Sequence, residues 1–145
     1  MAQVIVTAER EVAGSHQQVR AALADYTQTR PKIVTDHFSD YQVREGGVGA
    51  GSLVAWKFAA TSKRVRDQLV SVSEPGDGSL VETDANSSMV TTWTVAAAGE
   101  DRSLVGVRTT WNGAGGIGGF FERTFAPKGL RRVYDEMIGK LDAVV

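Results

Sequence analysis

Hydrophobic and polar positions change period along the chain, and each change marks an element. In QVIVTAEREVA (3–13) they alternate, with β-branched residues at many apolar sites, which predicts a strand. Gly14 ends it. Ser15 followed three residues later by Gln18 has the form of a capping box. Val19, Ala22, Leu23 and Tyr26 then fall at i, i+3, i+4 and i+7, one apolar face of a helix ending near Tyr26. Pro31 limits any continuation, because the residue before a proline avoids helical angles. One more short helix is expected within 27–34.

From Asp36 to Thr110 the helical period is absent. Short runs separated by turn signals predict strands at 36–45, 51–60, 64–73, 79–86, 88–97 and 103–111. A glycine cluster (Gly46, Gly47, Gly49, Gly51) joins the first two. Glu74-Pro75-Gly76-Asp77-Gly78 joins the third and fourth, and Gly99-Glu100-Asp101 the last two. Connections this short make neighbours antiparallel, since a parallel pairing needs a crossover of roughly a dozen residues. The helical period returns at the end. Leu130, Tyr134, Met137, Ile138, Leu141 and Val145 form one face of a long helix, with Arg131, Arg132, Asp135 and Lys140 on its other sides. Its start lies within 120–127, and Pro127 predicts a kink or a restart there.

The order is therefore strand, helix, short helix, six strands, long helix, in a single α+β domain spanning 1–145. About seven antiparallel strands with one apolar face need a cover, and the terminal helix is long enough to lie across a curled sheet. Strand alternation turns Val54, Trp56 and Phe58 inward, then Met89, Thr91, Trp93 and Val95, then Val105, Val107, Thr109 and Trp111. All three tryptophans so face the interior from different strands. Phe120, Phe121, Phe125, Tyr134 and Met137 approach from the helix side. Large rings around a curled sheet enclose an apolar pocket, typically about 300–1,000 Å³. Thr91, Thr109, Tyr41 and His37 are its polar candidates, and the pattern places no carboxylate there.

Composition narrows the chemistry. Lys+Arg is 16 and Asp+Glu 17, a net charge of -1, which disfavours a nucleic-acid partner because such proteins present a dominant positive field. The chain has no cysteine, which excludes disulfides, thiolate metal sites and a cysteine nucleophile. The two histidines stand in different contexts, His16 in the first turn of the capped helix and His37 between Asp36 and Asp40, so no metal site and no cofactor are expected. No apolar run approaches the ~20 residues that span a bilayer, and the first residues lack a basic stretch before an apolar one. The expectation is a cytoplasmic monomer or weak homodimer.

Gly113-Ala114-Gly115-Gly116-Ile117-Gly118 matches G-x-G-x-x-G, but the dinucleotide fingerprint needs a second parallel strand after the helix, and none follows. A loop at the pocket mouth is the better reading. Lys63, Arg64 and Arg66, beside Asp67, read as a solvated strand.

The residues resemble a known family. The segments HFSDYQVREGGVGAGSLVAWKF, SLVETDANSSMVTTWTV and GGIGGFFERTFAPKGLRRVYDEMIGKL, with the opening strand and capped helix, are similar to the START-like (SRPBCC, birch-pollen-allergen or Bet v 1-like) superfamily. Within it the chain resembles the polyketide cyclase/dehydrase and lipid-transport family, in an actinobacterial form. The resemblance implies the helix-grip fold, a curled antiparallel sheet of about seven strands wrapped round a long C-terminal helix with an internal cavity. It also implies binding, carrying or sequestering, of a hydrophobic small molecule such as a lipid, isoprenoid or aromatic polyketide. The expected ligand-binding set is His37, Tyr41, Trp56, Phe58, Thr91, Trp93, Thr109, Trp111, Phe121, Phe125, Tyr134 and Met137. The alternative is a polyketide cyclase/dehydratase using His37 or Tyr41 as acid/base in the same cavity.

Overall fold

A computed structural model describes residues 3–61, 64–113 and 126–145. Strand β1 (Gln3–Ala13) is followed by helix α1 (His16–Leu23), the short helix α2 (Arg30–Ile33), and strands β2 (Phe38–Glu45), β3 (Leu53–Thr61), β4 (Arg64–Ser73), β5 (Leu80–Asp84), β6 (Val90–Ala97) and β7 (Arg102–Asn112). The long helix α3 (Ala126–Val144) comes last. The strands form one antiparallel sheet in the order β1-β7-β6-β5-β4-β3-β2. Each of β2 to β7 pairs with its neighbour in sequence, and β1 closes on β7. The two edges are therefore β1 and β2, and α1 and α2 join them.

The capping box forms as the sequence implies. Ser15 Oγ accepts from the Gln18 amide at 3.2 Å, and Gln18 Oε1 accepts from the Ser15 amide at 3.1 Å. Val19 and Leu23 bury the apolar face. The helix stops three residues before Tyr26 because Asp25 turns the chain: its Oδ1 accepts from the amides of Thr27 and Gln28, both at 3.0 Å. Tyr26 stays fully buried all the same, its amide donating to Gly47 O at 2.8 Å. The first glycine cluster thus docks on the end of α1. Gly49 N also donates to Ala24 O at 2.9 Å, and a single bridge pairs Asp25 with Val48.

The inward sets read from alternation are the buried ones on β3 and β7, and Thr91 and Trp93 are buried on β6. Register stacks them. Leu80 lies opposite Trp93 and Trp93 opposite Val107, while Glu82 lies opposite Thr91 and Thr91 opposite Thr109. Helix α3 buries Leu130, Val133, Tyr134, Met137, Ile138 and Leu141, each contributing roughly 1.5–3 kcal/mol of transfer free energy. Pro127 sits in its first turn, where a missing amide hydrogen costs nothing, so it begins the helix instead of kinking it. On the β1 side Arg131 Nε donates to Thr7 O at 3.1 Å, and Asp142 Oδ1 accepts from Ala13 N at 2.7 Å. Among the described residues no helix is long and apolar enough to cross a membrane.

Candidate functional site

A cavity lies between the inner face of the sheet, the end of α2 and α3. Its apolar wall is Val34, Phe38, Trp56, Phe58, Met89, Trp93, Leu130 and Met137, and its polar groups come from Arg30, Tyr41, Gln68, Glu82, Thr91 and Tyr134. The free space is smaller than the curled sheet suggested. The centres of water-sized molecules have about 40 Å³, room for roughly two or three waters. Rings occupy much of the concave face. Phe38 lies 5.0 Å from Phe58 and 5.7 Å from Trp56, and Tyr41 stacks on Trp56 at 6.0 Å with planes 6° apart.

Arg30 and Glu82 form the polar floor. Arg30 Nη2 stands 2.8 Å from Glu82 Oε2, and both side chains are almost wholly buried, at 3% and 6% exposure. Arg30 Nε donates to Leu23 O at 2.9 Å, which ties α2 to the end of α1. Its guanidinium lies 4.6 Å from the centre of the Tyr26 ring and 5.0 Å from that of Trp93. Glu82 accepts two further bonds: Tyr26 Oη at 2.5 Å and Trp93 Nε1 at 3.1 Å. A buried carboxylate is costly unless paired and hydrogen-bonded, and this one is both. Burial is the largest single influence and works against the Arg30 charge, but the Glu82 carboxylate together with Tyr26 and Tyr41 holds the guanidinium above its ordinary range.

Two smaller networks flank the floor. Trp56 Nε1 donates to Gln68 Oε1 at 2.6 Å, and Gln68 Nε2 reaches Met89 Sδ at 3.1 Å. On the other side Thr91 and Thr109 hydroxyls are bonded at 2.8 Å, and Thr109 is bonded in turn to Tyr134. Tyr41 donates to Tyr26 O at 2.5 Å. Burial is the main cause that raises all three tyrosines. It pushes Tyr134 up to about 12 and Tyr26 and Tyr41 further above the ordinary phenol value, against the opposing pull of Arg30. Each stays protonated and neutral at physiological pH.

Of the residues singled out in the sequence, Tyr41, Trp56, Phe58, Thr91, Trp93, Tyr134 and Met137 border the cavity. Thr109 stands one bond behind Thr91. Trp111 is buried but opposite Val4 on β1, and is not among the described residues lining the cavity. Phe120, Phe121, Phe125 and the second glycine cluster beyond Gly113 lie outside the described residues.

His37 does not line the cavity. It sits in the turn before β2, its Nδ1 3.1 Å from Thr35 Oγ1 and its ring 6.1 Å from Phe58. Simple alternation from His37 through Ser39 to Tyr41 puts His37 and Tyr41 on one face. A bulge between Ser39 and Gln42, with Asp40 at φ +52°, resets the parity, so Phe38 and Tyr41 turn inward together. Arg30, Gln68 and Glu82 were missed because charged and amide side chains count as outward in any binary pattern. The available signal was register: Glu82 is two residues from Leu80 and opposite Thr91. Among the described residues no group of His, Asp or Glu is arranged to hold a metal ion.

The chain matches the family described as polyketide cyclase / dehydrase and lipid transport over residues 3–145. It belongs to that family. The KanY protein, solved by NMR, is 49% identical, with a TM-score of 0.89 over 99% of this chain and 98% of that one. A START superfamily protein from Mycobacterium smegmatis is 11% identical at a TM-score of 0.72, covering 97% and 96% of the two chains. Norcoclaurine synthase from Thalictrum flavum is 12% identical at 0.69, covering 99% and 86%. These last two likenesses place the helix-grip fold. No functionally curated protein matches the chain.

Proposed function

We propose that this protein binds a hydrophobic small molecule in the cavity between the sheet and α3. The observation that carries the reading is the wall: aromatic and aliphatic side chains from β2, β3, β6 and α3, with Val34 and Met89 from the adjoining turns, converge on one space beside a polar floor whose ionic groups are already paired. Burying on the order of 300 Å² of apolar ligand surface would give roughly 7 kcal/mol gross. Several kcal/mol is lost to immobilisation, which leaves micromolar affinity. The small resting volume means that side chains must yield on entry, and Met89, Leu130 and Met137 can do so at low cost because flexible chains repack readily.

The family also covers cyclases and dehydratases, and norcoclaurine synthase, of the same fold, has been solved with dopamine and hydroxybenzaldehyde. Arg30, a cationic donor bordering the cavity, would suit polarisation of a carbonyl in such a reaction. Binding without turnover is favoured because, among the described residues, the cavity offers no free base: its tyrosines hold their protons, and Glu82 already accepts from three donors.

The tryptophans report occupancy. Titration with fatty acids, sterols and flat aromatic compounds should quench or shift intrinsic fluorescence, with Trp56→Phe reducing the response. Fluorescence indifferent to the whole panel would remove the reading.

A further inference from the structure

The turn between β5 and β6 carries an oxidisable sulfur whose chemistry the binding role does not use. Met89 closes that turn: Asp84 N donates to Met89 O at 3.0 Å, and Met89 N donates to Ser87 Oγ at 3.1 Å. Ala85, Asn86, Ser87 and Ser88 beside it are exposed, and Met89 itself is half-buried and lines the cavity. Met137 lines the same cavity from α3 but is only 3% exposed. Two thioethers thus share one wall and differ in their access to solvent.

The surroundings of the Met89 sulfur already suit an oxidised product. Gln68 is buried, and its amide is held in one orientation: the Trp56 indole, which can only donate, bonds to Gln68 Oε1 at 2.6 Å. That leaves Gln68 Nε2 directed at Met89 Sδ, 3.1 Å away. A thioether is a weak acceptor, so a buried amide N–H facing one gains little. A sulfoxide oxygen is a far stronger acceptor. We infer that Met89 is a site of reversible oxidation by peroxides, with Gln68 Nε2 holding the sulfoxide oxygen and the native fold kept. In the step, a sulfur lone pair attacks the peroxide, the O–O bond breaks and one oxygen passes to Sδ. The proton on that oxygen passes to the departing hydroxide or alkoxide, which leaves as water or an alcohol. Sulfur loses two electrons and the peroxide gains them. The product is polar, so the wall beside Trp56 becomes less apolar. The site does not depend on an occupant of the cavity, so failure of the binding reading leaves it standing.

The test treats the folded wild-type protein with hydrogen peroxide and then digests it with trypsin, which separates Met89 (peptide 67–102) from Met137 (peptide 133–140). Fragment masses should place one added oxygen on Met89 several-fold faster than on Met137. In NMR spectra of the intact protein, the side-chain N–H signals of Gln68 and the indole N–H of Trp56 should move as Met89 is modified, and methionine sulfoxide reductases should return them. In Met89→Leu, which keeps an apolar side chain without sulfur, peroxide should leave both signals in place. Equal rates at the two methionines, or Met137 first, overturn the site. Oxidised Met89 with the Gln68 and Trp56 signals unmoved overturns the role of Gln68. Loss of near-UV circular dichroism as Met89 is oxidised overturns the claim that the fold accommodates the sulfoxide.

Discussion

Arg30 and Glu82 hold the interior together at the residue scale, and their worth is unequal to what removing either would cost. The pair gains from its charge-assisted bond but pays to leave water, so its net contribution is small. Removing one partner leaves the other charged and dry. Glu82→Gln or Arg30→Met alone should lower stability by about 3–5 kcal/mol in urea unfolding. Arg30→Met combined with Glu82→Gln should cost clearly less than the two single changes added together. Simple additivity would mean that the two side chains are not coupled. Neither residue was legible in a binary pattern. An arginine beside a proline in a short helix, and a glutamate flanked by Val81 and Thr83, read as surface until register puts Glu82 opposite Thr91.

At the scale of elements the turns decide as much as the strands. The loop after β2 is glycine-rich because the chain must pass close to itself while it wraps the end of α1. Gly46 has φ +65°, and a Cβ there would stand 2.9 Å from the Cα of Ser52, which is backbone and cannot move aside. Gly51 has φ +89°, but a Cβ would meet nothing within 4 Å. Gly51→Ala should therefore cost about 1 kcal/mol, the conformational penalty alone, and Gly46→Ala distinctly more. Thermal unfolding of the two variants side by side would check this, and equal losses would refute the steric part. The position of this loop was readable from glycine spacing. Its docking on α1 was not, because the bonds from Tyr26 and Gly49 join segments about twenty residues apart. The β2 bulge was illegible for a related reason: the left-handed Asp40 changes parity without any glycine to announce it.

The molecule as a whole has a pH signature, because the chain has three tyrosines, Tyr26, Tyr41 and Tyr134, and the fold raises all of them. The ionised form of a phenol is the deprotonated one. An unfolded chain would release these protons near pH 10, whereas the fold retains the Tyr134 proton up to about 12 and the other two further. Above pH 10 the unfolded state binds fewer protons than the native state, so stability present below that value is lost as pH rises towards 12 and beyond. Absorbance at 295 nm should show no tyrosinate at pH 10 in the native protein. It should then rise together with loss of far-UV circular dichroism. A tyrosine ionising with an ordinary midpoint while the circular dichroism is unchanged would refute this.

The alternation, the capping box, the turn signals and the terminal helical period settled which segments are strands and helices, and that the sheet is antiparallel, because those signals act between residues close in sequence. They also settled which face of β3, β6 and β7 is inward. What surrounds the cavity floor was decided only when distant segments met. Whether a charged side chain is buried depends on a partner supplied from elsewhere: Arg30 finds Glu82 fifty-two positions along the chain, and no local pattern carries that information. The free volume is likewise a remainder left after all the rings have packed, and a remainder exists only in three dimensions.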